Sequence, residues 1–120
     1  MKIAITSTGT DIDSPMDPRF GRAAHILIVD TFTQSVEALD NSENVNAFKG
    51  AGIQAAARLS EKKAEALLTG FCGPNAFKTL EAAGVKVAVD ITGTVRDALE
   101  AFNEGRVSFS DSPNSSGGGA

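Results

Sequence analysis

Two short stretches of this sequence carry the groups from which chemistry could be built. The first is Asp17-Pro18-Arg19-Phe20-Gly21-Arg22, with His25 following closely. The second is Gly70-Phe71-Cys72-Gly73-Pro74-Asn75. Arginine is permanently charged and presents a planar fork of donors that suits anions. Arg19 and Arg22, close together on an acidic chain, make a local positive spot able to hold one. Gly21 has no side chain, so the backbone can approach a ligand there. The plainer alternative is a pair of solvated arginines and a phenylalanine that closes the core.

Cys72 stands just before a helix start, because Pro74 is suited to a first helical position. A helix start offers unpaired N–H groups and partial positive charge, which favour anions such as a metal sulfide or oxide. The same field is expected to lower the thiol pKa and favour a metal-binding thiolate. Cys72 is therefore a candidate ligand, with Phe71, Gly73 and Asn75 around it. The competing reading is a small cysteine packed in the core. His25 is a second candidate metal ligand, although a lone histidine is more often structural. Asp11, Asp13 and Asp17 lack EF-hand spacing and its closing glutamate. They read as turn formers.

Composition narrows the function classes. The chain has 120 residues and one cysteine, so it has no internal disulfide and no all-cysteine metal site. A net charge of -4 argues against nucleic-acid and membrane-surface partners. Met1 to Thr10 lacks the apolar core of a secretory signal, and no apolar run reaches the roughly 20 residues needed to span a bilayer. A soluble, cytoplasmic protein is expected.

The elements that would position these residues can be read along the chain. Lys2 to Thr6 and Ala24 to Val29 are short apolar runs and read as buried strands. Gln34 to Leu39 is more polar and reads as an edge strand. Between the first two lies a long loop, Ser7 to Gly21, of the kind that is usually functional. Gly52 to Lys63 has helical period, with Ile53, Ala56, Ala57 and Ala64 as the expected inner stripe. Glu65 to Thr69 is a strand. Pro74 to Ala83 is a helix with Phe77, Leu80 and Ala83 inward, stopped by Gly84. Val85 to Val89 is a strand. Thr94 and Asp97 form a capping-box variant for a last helix, whose inner face is Val95, Ala98, Leu99 and Phe102. The domain is expected over residues 1–107, with residues 108–120 a disordered, low-complexity tail.

The order β-β-β-α-β-α-β-α predicts an antiparallel meander followed by parallel strands. Docking the fourth strand beside the first gives a five-stranded mixed sheet in the order 3-2-1-4-5, a ribonuclease H-like α/β arrangement with three helices. Ligands of open α/β sheets bind at the carboxyl ends of strands, where connections diverge. That point lies between strands 1 and 4, from which Thr8 to Arg22 and Gly70 to Asn75 both leave.

With these pieces in place, the chain resembles the dinitrogenase iron–molybdenum cofactor biosynthesis family. This family includes small stand-alone proteins and domains of nitrogenase cofactor-assembly proteins. The resemblance rests on Met1 to Ile5, on Arg19-Phe20-Gly21-Arg22-Ala23 leading into Ile26 to Asp30, and on Gly50 to Ala56 with Leu67 to Pro74. It implies binding of an iron–molybdenum-cofactor-like cluster or, in one branch of the family, a mixed molybdenum–copper sulfide cluster held non-covalently. The family's usual His-Phe-Gly stands here as Arg19-Phe20-Gly21. That exchange replaces a metal ligand by a permanent cation and implies electrostatic holding of an anionic cluster. An anionic thiometallate brings its own sulfide, so the protein need supply only cations, helix-start N–H groups and an apolar wall, here Phe20, Phe71 and Phe48.

The leading expectation is thus a carrier of a metal–sulfur cluster, not an enzyme, with assembly proteins as further partners. A metal-free interaction or regulatory module is the alternative. A ribonuclease H-like nuclease is a poorer one, because Lys2 to Thr6 lacks the carboxylate that a metal-dependent nuclease strand would carry.

Overall fold

The computed structural model describes residues 1–42 and 50–114. Five strands form one mixed sheet: β1 (Lys2–Ser7), β2 (His25–Asp30), β3 (Val36–Asp40), β4 (Ala66–Leu68) and β5 (Lys86–Ala88). Among the described residues, three helices follow β3, β4 and β5 in turn: α1 (Ala51–Glu61), α2 (Pro74–Ala82) and α3 (Val95–Asn103). The sheet order is β3-β2-β1-β4-β5, the order expected from the sequence. β1 pairs antiparallel with β2, Ser7 opposite His25, and parallel with β4, Ile5 opposite Leu68. β2 and β3 are antiparallel, whereas β4 and β5 are parallel.

Helices cover both faces, which is why the central strands are apolar throughout. On one face Ala4, Ile26, Ile28 and Leu67 pack against Leu59 of α1 and Phe77 and Leu80 of α2. On the other, Ile3, Ile5, Leu27, Val29 and Leu68 pack against Met16 and against Val95 and Ala98 of α3. Neighbouring residues on a strand alternate between the two cores, as pleating requires. The edge strand β3 buries only Leu39.

Two helix faces differ from expectation. α1 buries Ala51, Ala55, Ala56 and Leu59, while Ile53 is 46% exposed and Ala57 points outward. Alanines carry little directional preference, so the large side chain of Leu59 sets the rotation and its i-4 and i-8 neighbours follow it inward. In α2, Ala76 is buried with Phe77 and Leu80, and Ala83 is exposed as the C-cap. α3 agrees with the sequence. Thr94 Oγ1 accepts from the Asp97 N–H, and the Asp97 carboxylate accepts from the Thr94 N–H.

Of the tail, residues 108–114 are described and run beside β5. The Ser110 N–H donates to the Val87 carbonyl at 2.7 Å. No helix of the described residues is long and apolar enough to cross a membrane.

Candidate anion site at the sheet switch point

The carboxyl ends of β1 and β4 are tied to both loops through buried polar groups. Thr6 Oγ1 donates to the Asp17 carbonyl at 2.7 Å and lies 3.1 Å from Oγ1 of Thr69, the residue after β4. The Asp17 carboxylate is buried and folds the loop back on itself. Its Oδ1 accepts from the Arg19 N–H at 3.1 Å and its Oδ2 from the Ala24 N–H at 3.3 Å. This is the turn-forming role expected of an aspartate before proline.

The two loops then pair with each other. The Phe71 N–H donates to the Pro18 carbonyl at 2.6 Å, and the Phe20 N–H to the Phe71 carbonyl at 3.1 Å. Arg19 and Phe71 face each other as a parallel bridge. This close approach requires glycine at position 70, where an added Cβ would lie 2.6 Å from the Pro18 oxygen. On its other flank the arginine loop meets α1, and a Cβ at Gly21 would lie 2.6 Å from the Gly52 nitrogen. The arginine loop is therefore wedged between the starts of α1 and α2. Neither helix has a side-chain N-cap bond or an acidic residue in its first turn. Both present main-chain N–H groups and the positive end of their dipoles at this edge of the molecule.

Within this frame Arg19 is exposed, with Nε 3.6 Å from Asp17 Oδ1, and Arg22 is half-buried. Phe71 is 46% exposed beside Arg19, and Asn75 is exposed on the first turn of α2. Gly73 is the N-cap of α2. Phe20 is not a wall of the site. It is fully buried in the core shared with α1 and α2, because the loop turns its one large apolar side chain inward. Phe48 lies outside the described residues.

Cys72 is also fully buried, in the same core. Burial pushes its thiol up to about 12, the reverse of the expected lowering. Withdrawing a thiolate from water costs more here than the partial charge of the helix start returns. His25 shares its sheet face with Leu27 and Val29, whereas Cys72 belongs to the opposite core, so the two candidate ligands are not brought together. The His25 Nδ1 is buried without a hydrogen-bond partner among the described residues. Among the described residues, no group of three or more His, Cys, Asp or Glu could hold a metal ion.

Two positioning residues were not legible in the sequence. The buried Asn41 donates through Nδ2 to the Gly21 carbonyl at 3.1 Å and the Ala23 carbonyl at 2.8 Å, which fixes the arginine loop. Asn114 binds the Gly70–Cys72 turn from the far end of the chain. Their partners lie 18 to 44 residues away, so no local pattern marks them.

This edge of the molecule offers the exposed Arg19, the half-buried Arg22, main-chain N–H groups at two helix starts and the exposed ring of Phe71. It suits an anion that carries its own ligands. A bare metal ion would find no ligand set among the described residues.

Comparison with known proteins gives the same direction. The family model described as dinitrogenase iron–molybdenum cofactor matches residues 1–105. The apo form of the orange protein from Desulfovibrio gigas is 45% identical, with a TM-score of 0.92 over 95% of this chain and 96% of that one. A Thermotoga protein described as a NifB candidate is 39% identical, with a TM-score of 0.84 over 97% of this chain and 98% of that one. A dinitrogenase candidate from Methanocaldococcus jannaschii, 19% identical, shares the fold with a TM-score of 0.69 over 94% of this chain and 97% of that one. No curated protein matches the chain.

Proposed function

The chain belongs to the dinitrogenase iron–molybdenum cofactor family, and from that membership we propose that it binds and delivers a preformed, anionic molybdenum-containing sulfide cluster. The cluster is cargo, either a molybdenum–copper sulfide or an iron–molybdenum-cofactor-like species. The protein is a cytoplasmic carrier and not a catalyst, and it hands the cluster to assembly partners. The order β3-β2-β1-β4-β5 supports the ribonuclease H-like reading of its fold.

The observation that carries this reading is the locked pairing of the arginine loop with the Gly70–Cys72 turn between two helix starts. The Arg19 and Arg22 guanidinium groups supply the long-range attraction and directional donors. The first N–H groups of α1 and α2 supply short-range donors for terminal sulfides or oxides. Phe71 supplies a polarisable apolar wall. Direct Cys72 ligation is not required, because the cargo brings its own sulfide, and the buried neutral thiol is a poor ligand as placed.

The nuclease alternative needs carboxylates that converge on divalent ions. Asp17, the buried carboxylate at this edge, is instead occupied by the loop's own N–H groups.

The test is reconstitution of the purified protein with tetrathiomolybdate, alone and with copper(I). The expected outcome is a stoichiometric complex with sulfur-to-metal charge-transfer absorption that survives gel filtration. A colourless protein fraction under both conditions, with no molybdenum on elemental analysis, would defeat the proposal.

A further inference from the structure

The C-terminal segment returns to the Gly70–Cys72 turn along the β5 edge of the sheet. After Phe109, whose ring lies 5.7 Å from Lys86 Nζ, the Ser110 N–H bonds to the Val87 carbonyl on β5. Asn114 then reaches the turn. Its Oδ1 accepts from the Cys72 N–H at 2.8 Å. Its Nδ2 donates to the Gly70 carbonyl at 2.9 Å and to Asp90 Oδ1 at 3.2 Å. Its own N–H faces the Cys72 carbonyl at 3.3 Å. A single residue thus closes both ends of the Gly70–Cys72 turn, and it lies beyond residues 1–105 that the family model matches.

We infer that residues 110–114 form a strap, and that Asn114 is a positioning residue that holds the Gly70–Cys72 turn in register with the arginine loop. The turn has two hydrogen-bonded sides. One side faces Pro18 and Phe20, and the other faces Asn114. With the strap docked, Asn114 backs the turn from the side opposite Pro18 and keeps it against the arginine loop. With the strap released, the turn opens and the two walls of the anion site separate. The consequence for cargo rests on the carrier reading, whereas the coupling of strap to turn does not.

The side-chain chemistry offers a specific test. Asn114→Ala removes donor and acceptor. Asn114→Asp keeps the acceptor for Cys72 but sets a carboxylate oxygen against both the Gly70 carbonyl and Asp90. Adding Asp90→Asn to Asn114→Asp removes the repulsion at position 90 and returns an amide donor there, while the Gly70 carbonyl still lacks its donor from residue 114. Position 90 has φ 61, which asparagine tolerates well.

The readouts are hydrogen exchange of the Phe20 and Phe71 N–H groups, which Asn114 does not touch, and the rate at which Cys72 reacts with a chromogenic disulfide. Asn114→Ala and Asn114→Asp should each raise both rates roughly tenfold, as expected for the loss of one or two hydrogen bonds. The double change should lower both rates below those of Asn114→Asp but not to those of the starting protein, because the bond to the Gly70 carbonyl stays lost. The inference is overturned if the single changes leave the Phe20 and Phe71 amides unaltered. It is also overturned if the double change stays as fast as Asn114→Asp, or if β1 amides accelerate equally. With tetrathiomolybdate bound, Asn114→Ala should speed its release by a similar factor, and an unchanged release rate would overturn the strap's role in cargo exchange. If the exchange results hold and the probe never binds the unaltered protein, the strap stands and the carrier function fails.

Discussion

Arg19 holds its guanidinium in solvent, with the Asp17 carboxylate 3.6 Å from Nε. A charge so placed acts at modest strength and is screened by salt. Arg19→Ala and Arg22→Ala should therefore each weaken tetrathiomolybdate binding by roughly twofold to fivefold, and the loss should shrink as salt rises. A titration at low and high ionic strength checks this. Cys72→Ala should leave the same affinity within about twofold, since the thiol points into the core. A large loss would show that the turn opens and the thiol ligates. The buried thiol also sets a pH dependence. Its pKa is raised from 9.0 to about 12 on folding, so the unfolded chain loses this proton first. Its contribution to stability is fully present below pH 9.0 and disappears as pH rises towards about 12. Denaturant midpoints measured across that window should fall more steeply in the starting protein than in Cys72→Ala. The switch-point rule and the helix-start signal at Pro74 placed the arginine loop and the Cys72 turn at one sheet edge, where Arg19 and Phe71 pair. The sequence could not give the direction of the thiol, because that depends on which side of the turn meets Ala76 and Phe77.

At the scale of elements, the decisive contact is the backbone pairing of two loops. Gly70→Ala would place a Cβ 2.6 Å from the Pro18 oxygen. The loops must part, which should cost about 1–3 kcal/mol in chemical denaturation. Probe affinity should fall further than stability alone explains, because the walls of the site separate. Gly84→Ala, at a position with φ 79 and open space around it, serves as the comparison: it should lower stability and leave binding intact. Strand identities and the capping box at Thr94 were legible because each is set by neighbours in sequence. The inner face of α1 was not. Its alanines fit either rotation, and only the sheet beneath decides that Leu59 goes in and Ile53 stays out.

For the whole molecule, Phe20 links site and stability. It is a loop residue that is fully buried between the sheet and two helices. Phe20→Ala should cost about 3–5 kcal/mol, a large share of the roughly 5–15 kcal/mol typical of a domain. A thermal melt checks it, and Phe20→Leu should recover most of the loss. The same burial means that the backbone of the arginine loop is anchored by the core before any guest arrives. What the sequence alone determined was the fold's connectivity and which two loops leave the switch point together. Apolar period, turn residues and the handedness of crossovers are local or topological rules, and together they leave one sheet order and one switch point. What only the tertiary structure decided was which groups reach that site. It turned Cys72 and Phe20 into the core, placed His25 on the other sheet face, and recruited Asn41 and Asn114 from distant positions. Burial and long-range hydrogen bonding are properties of the packed chain, and each partner is chosen by the space that the others leave.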